Sequence, residues 1–269
     1  MMWDHAADGP DALNDWELAR GARAKWWVKH QKHKNSDKIV FALKALIQAG
    51  ADFDFLLDMQ DRRERNLITP DGQVAPVFSF TRPLSKKTGH ILWPLPSYHD
   101  VDGPEFLGQL DPNRVNWHDK KDMAVWRGIP GNRVTLKGKR NGMRMLPLLR
   151  KSKAGDLSPD ETKAALASMP RYRFLKNWID DPRFDVGYTD SDAFKVVDEP
   201  FIHSYGRLKI SRETFQEYKY IFVLPGNDVG SSFFWTMNSG SVGLVIDCDF
   251  ETFATHHFKP WEHYVPVRG

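Results

Sequence analysis

The stretch YKYIFVLPGNDVGSSFFWTMNSGSVGLV, residues 218–245, constrains the fold more than any other part of the sequence. An apolar, aromatic and β-branched run ends at Leu224. A turn of Pro, Gly, Asn and Asp follows over 225–230, then a helix-like segment Ser231–Asn238 and a second apolar run, Val242–Ile246. Strand, turn, helix and strand in that order argue for a βαβ unit in a parallel sheet. The same alternation extends upstream. Ala124–Trp126 reads as a strand, and 141–150 as a helix with Pro147 in its first turn. Ser158–Ser168 reads as a helix with Ser158 as cap and Pro159 at the first position. A helix over Ser211–Tyr218 runs into the strand Tyr220–Leu224. The expected class is therefore α/β.

The first half is less regular. Trp16, Ala19, Ala22 and Trp26 recur at helical spacing behind Asn14, which predicts helix in the segment from about Asp15 to Gly50. A second helix is predicted over Asp37–Gln48, with Val40, Leu43, Leu46 and Ile47 on one face and Gly50 as its stop. Phe53–Met59 and Pro76–Phe80 read as strands, and Ile91–Leu95 is a short apolar run broken by Pro94. Residues 96–120, rich in Pro, Gly, Asp and His, read as loop. A boundary near 120 divides the 269 residues into two domains, 1–120 and 121–269.

Composition removes several alternatives. Hydrophobic residues at 41% and charged residues at 27% exclude disorder as a description of the chain. No apolar run approaches the roughly 18 residues of a transmembrane helix. Cys248 is the only cysteine, so no internal disulfide forms. The start, MMWDHAADGP, does not read as a signal peptide, which favours the cytoplasm. A net charge of +3 does not call for nucleic acid and suits an anionic small ligand. Aromatic residues make up 13% of the chain, and Trp93, Trp126 and Trp235 could stack on a sugar or base, or pack in the core.

In an open α/β sheet, ligands bind beyond the carboxyl ends of the strands. That points to the turn Gly226, Asn227, Asp228, Gly230, Ser231 and Ser232, where a helix start could meet phosphate. An ordinary turn is the plainer reading. Arg127 and Gly128, at the end of the Ala124–Trp126 strand, and Arg144 could grip a diphosphate. Arg127 could equally be a surface residue of a basic stretch that includes Lys137, Lys139 and Arg140.

These residues stand in a recognisable order. DFDFLLDMQD at 52–61, PVFSF at 76–80, Trp126-Arg127-Gly128 with glycine at 131, and Asn141–Arg144 are followed by DVGYTD at 185–190. The 218–245 stretch and KPWEHYVP at 259–266 complete the series. From about Asp52 to Val267 the chain resembles glycosyltransferase family 90. That family includes lipopolysaccharide-core enzymes, capsule xylosyltransferases and Rumi-type protein O-glucosyltransferases. The resemblance implies a GT-B architecture, two Rossmann-like domains facing a cleft, with a UDP-sugar donor held by the C-terminal one. It implies inverting transfer to a glycan hydroxyl without metal or other cofactor. Arg127, Gly128, Arg144 and the 226–232 turn would then hold the donor. A lipopolysaccharide core or surface polysaccharide would be the acceptor, which allows peripheral contact with the inner membrane face.

Three departures from the family qualify this and leave a non-catalytic nucleotide-sugar- or glycan-binding member of the same fold as the alternative. The Rumi-type catalytic aspartate opens an Asp-Ile-x-x-Pro string, and here the string is His90-Ile91-Leu92-Trp93-Pro94. His90 can serve as the base at neutral pH; Asp61, Asp58 or the acidic 99–102 loop are the alternatives. A basic residue usual in the helix after the turn is replaced by Phe233, Phe234 and Trp235. The sequence ends at Gly269, so C-terminal helices that other members carry are expected to be missing.

Other motifs are weaker. Asp247-Cys248-Asp249 resembles the Asp-x-Asp metal motif of GT-A transferases. His256, His257, Glu262 and His263 suggest a metal set with no second cluster to support it. The lysine-rich stretch at 27–38 suits a solvated helix face, or contact with phosphate. No G-x-S-x-G elbow is present.

Overall fold

A computed structural model of the chain describes residues 36–61, 66–85, 87–95, 110–129, 144–189 and 204–268, and the backbone of short strand segments elsewhere. It forms two compact units. The first is Met1–Leu107 with Cys248–Phe258, and the second is Gly108–Asp247 with Lys259–Gly269.

In the first unit, helix α1 (Ser36–Gln48) buries Leu43 and Leu46 as expected, together with Ile39 and Ala42, whereas Val40 and Ile47, placed on the same face by the sequence, are only half-buried. It closes in a Schellman motif: Ala51 N–H donates to the Leu46 carbonyl (3.1 Å) and Gly50 N–H to that of Ile47 (2.9 Å). The apolar face packs on Phe55, Leu57, Met59, Phe80 and Leu95. Strand β1 (Phe55–Leu56) precedes β2 (Val77–Ser79), β3 (Thr81–Pro83) and β4 (His90–Leu92). β2 and β4 run parallel, with Val77 opposite His90, and Leu57 bridges Phe78 in parallel. β3 pairs antiparallel with Phe250–Thr252, which carries the chain back from the far end of the sequence.

One expectation changes here. Ala19–Arg20 pairs antiparallel with Trp27–Val28, so the helix predicted from Asp15 does not run through these residues. Gly21 weakens a helix, and the Trp26-Trp27-Val28 run favours extended backbone. Cys248–Phe258 belongs to the first unit because Phe250–Thr252 pairs with Thr81–Pro83.

The second unit is built on five parallel strands. They are β5 (Lys121–Gly128), β6 (Phe184–Tyr188), β7 (Tyr218–Val223), β8 (Val242–Ile246) and β9 (Val265–Val267). Their spatial order is β6-β5-β7-β8-β9. Pairing places Val186 opposite Trp126, Val125 opposite Ile221, and Phe222 opposite Leu244. Counted along the chain this is the order 2-1-3-4-5, a doubly wound arrangement.

Between β5 and β6 lie α2 (Met145–Lys153), α3 (Pro159–Ala167) and α4 (Pro170–Trp178). They cover one face of the sheet through Met145, Leu148, Leu149, Leu166, Met169, Phe174 and Leu175, against Ala124, Trp126 and Phe222. The short α5 (Arg212–Phe215) and α6 (Ser232–Met237) follow β6 and β7. Phe215 and Trp235 from these helices pack with Val125 and Ile221 on the other face. Strand alternation makes this division: 124 and 126 face one way, 125 and 127 the other.

The α/β expectation holds for this unit, and the strands expected at 124–126, 220–224 and 242–246 are present. Helices expected over 141–150 and 158–168 appear as α2 and α3, the latter with Ser158 and Glu161 in a capping box. α4, β6 and β9 were not predicted from pattern. Among the described residues no helix is long and apolar enough to cross a membrane.

Candidate active site at the carboxyl edge of the parallel sheet

In the second unit the chain leaves β5 for β6 on one side, then crosses to β7 on the other. The connections leaving β5 and β7 therefore diverge, which opens the crevice where such sheets bind ligands. The elements that meet there are the exit of β5 at Gly128–Ile129, the exit of β7 at Leu224–Pro225, and the first turn of α4.

Gly128 is fixed by its neighbour: a Cβ there would stand 2.5 Å from Cζ2 of Trp126. Trp126 itself is 3% exposed, packed on Phe174 and Tyr188, so it belongs to the core and is not a stacking platform. Trp93 packs on Phe78 in the first unit, and Trp235 on Phe215 in the second.

Arg127 points to the opposite face from Trp126. Its Nη2 pairs with Asp185 Oδ1 at 2.6 Å, and its side chain is 8% exposed. Nη1 donates to the carbonyls of Asp185 (2.7 Å) and Trp126 (3.0 Å), and Nε to that of Leu208 (3.1 Å). Four of the five guanidinium N–H donors thus hold the fold together. Asp185 also accepts from the Tyr218 hydroxyl at 2.5 Å. Burial works to raise the Asp185 carboxyl, but the Tyr218 hydroxyl and Arg127 outweigh it and hold its pKa below the usual carboxylate value.

Among the described residues, Arg171, in the first turn of α4, places a cation at the crevice. Its Nη1 donates to the Ile129 carbonyl (2.8 Å), Nε to that of Pro225 (3.0 Å) and Nη2 to that of Leu224 (3.3 Å). Burial lowers its pKa to about 10. The guanidinium also lies 5.6 Å from the Trp126 ring. Nothing in the sequence singles it out, since Pro170-Arg171 marks only a helix start.

In the 226–232 turn, Asp228 and Gly230 are buried, Gly226, Asn227 and Ser232 half-buried, and Ser231 exposed. Gly230 allows close approach to its own strand: a Cβ there would lie 2.7 Å from the Leu224 carbonyl oxygen. A Cβ on Gly226 would lie 3.5 Å from Arg171 Nη2, so this turn borders the guanidinium. Ser231 makes no side-chain cap bond to α6. Arg144 is exposed at the N-cap of α2.

His90 and Asp61 belong to the first unit. His90 opens β4 and is 5% exposed; its N–H donates to Thr88 Oγ1 (3.4 Å) and its carbonyl accepts from Arg82 Nη1 (3.4 Å). Asp61 is exposed and pairs with Lys38 at 3.3 Å. Asp58 Oδ1 accepts from Gln60 N–H (3.1 Å). The 99–102 loop lies outside the described residues, as do most side chains of the 27–38 stretch.

Among the described residues no three His, Cys, Asp or Glu side chains gather as a metal set. Asp247 belongs to the second unit and Asp249 to the first. His256 pairs with Glu251, which also pairs with Arg82, and His263 Nδ1 accepts from Lys259 N–H.

A doubly wound parallel sheet with a switch point places this unit among the α/β proteins whose ligands bind beyond the carboxyl ends of the strands. Residues 27–269 match Glycosyl transferase family 90, and the chain belongs to that family. It is a glycosyltransferase, with a sugar donor and a glycan acceptor as its general partners. No curated protein sequence matches it.

Proposed function

We propose that the protein transfers a glucose- or xylose-type sugar from a UDP-sugar to a hydroxyl of a glycan, with inversion and without a metal. The observation that carries this reading is the β5/β7 switch point, where the 225–231 turn and Arg171 meet. The donor binds at this edge of the second unit, with Gly226–Ser232 as one wall. The architecture is GT-B, with the acceptor side in the first unit and the donor side in the second. The acceptor is a lipopolysaccharide core or surface polysaccharide, which puts the enzyme at the inner face of the membrane.

In the reaction an acceptor O–H loses its proton to a base, and the oxygen attacks the anomeric carbon. The bond from that carbon to the diphosphate oxygen breaks, and UDP leaves with the electron pair. Arginine and backbone N–H groups stabilise that charge in place of a metal ion. Arg127 contributes indirectly, by fixing the end of β5 to β6. Arg144 is exposed and open to the donor. His90 is the proposed base and Asp61 the alternative.

Titration calorimetry with UDP, UDP-glucose and UDP-xylose, with and without EDTA, tests this, together with UDP release over time. Binding unchanged by EDTA and accompanied by slow UDP release is expected. Binding abolished by EDTA overturns the metal-independent mechanism. No binding to any UDP-sugar overturns the choice of donor.

A further inference from the structure

Arg171 stands where a cation is least at home. α4 leads into β6, which runs parallel to β5, so α4 returns antiparallel to the strands and its N-terminus lies at the carboxyl edge of the sheet. Arg171 is the second residue of this nine-residue helix. A positive side chain there sits at the positive end of the helix dipole. It is also half-buried, and among the described residues no carboxylate pairs with it. Arg127, one strand away, shows the usual solution, a carboxylate at 2.6 Å.

The compensation for Arg171 is unusual. Three of its five N–H donors go to main-chain carbonyls, those of Ile129, Leu224 and Pro225. These are the residues that follow β5 and β7, the two strands whose connections part at the switch point. The arginine thus joins both walls of the crevice. Among the described residues nothing takes its remaining two donors. The residue beside Nη2 is Gly226, which places no side chain in the way.

We infer that Arg171 seats the diphosphate of the sugar nucleotide. A diphosphate oxygen pair would accept the two remaining N–H groups, as forked arginine–phosphate contacts do, and would relieve both the burial and the helix-end penalty. The same residue then couples donor binding to the position of the 225–230 turn. This rests on the donor-site reading above.

The test compares UDP by calorimetry with uridine by saturation-transfer NMR in the wild type, Arg171→Gln and Gly226→Val. Arg171→Gln is expected to weaken UDP at least tenfold and leave uridine within threefold. Equal loss of UDP and uridine, with a lowered Tm, means that Arg171 only staples the turn and overturns the inference. UDP binding unchanged in a folded Arg171→Gln overturns it while the donor reading survives. A wild type that binds no UDP overturns both. If Arg171→Gln does not fold, Gly226→Val decides: weaker UDP with uridine retained supports the assignment, and unchanged UDP refutes it.

Discussion

Asp185 is the side chain on which the sheet's electrostatics turn. It neutralises Arg127 and takes the Tyr218 hydroxyl, joining β6 to β5 and β7. Asp185→Asn leaves Arg127 enclosed without its counter-charge. It is expected to cost roughly 2–3 kcal/mol at pH 7, below the range for fully buried pairs because Asp185 keeps some solvent contact. The sign of the pH dependence follows from the lowered carboxyl. The folded state holds this proton less tightly than the unfolded chain, whose pKa is about 3.9. The stabilisation is complete above that value and is lost as pH falls through the folded pKa. Urea melts should therefore show the gap between wild type and variant narrowing below about pH 4. A gap that stays constant down to pH 2 would mean that charge is not its source. Arg127's orientation was legible in principle. It shares the parity of Val125 and not of Trp126, and both faces of a doubly wound strand are covered. An arginine there needs an internal partner, and DVGYTD supplies it. Arg171 left no such trace, because its partners are carbonyls from two distant strand ends.

At the scale of elements, legibility followed how local the determinants are. α3 was readable to within a residue because its start is encoded in adjacent positions. Ser158 Oγ accepts from Glu161 N–H (3.2 Å), Glu161 accepts from Ser158 N–H (3.0 Å), and Pro159 fills the first position. Ser158→Ala breaks one half of this box and leaves an N–H at the helix start unsatisfied. It should lower stability by about 1 kcal/mol in denaturant melts, with UDP affinity unchanged. A loss of UDP affinity would instead tie α3 to the donor site. β7 and β8 were readable for a different reason, since continuous apolar runs fit strands buried on both faces. The pairing of Thr81–Pro83 with Phe250–Thr252 was not. Three-residue strands carry little period, and nothing local names a partner so far along the chain. The Asp15 helix failed in the opposite way: helical spacing of Trp16, Ala19, Ala22 and Trp26 outweighed Gly21 and a β-favouring tryptophan pair.

At the scale of the molecule, the proposed donor site is discontinuous. It draws on the exit of β5, the first turn of α4 and the exit of β7, three segments of the second unit with separate places in the sequence. Only a folded unit brings them together, so UDP binds the native state and must stabilise it. At a hundredfold excess over Kd the linkage is worth about 2.7 kcal/mol. For a chain of this size each kcal/mol moves Tm by roughly 2–4 °C, so saturating UDP should raise the transition by about 5–10 °C. The shift should be the same in EDTA and in magnesium if arginine and backbone N–H groups carry the diphosphate. A shift seen only with magnesium would transfer that task to a cation and return attention to Asp247 and Asp249. A shift that survives EDTA but vanishes in Arg171→Gln would place the charge of the leaving diphosphate on one guanidinium at the switch point.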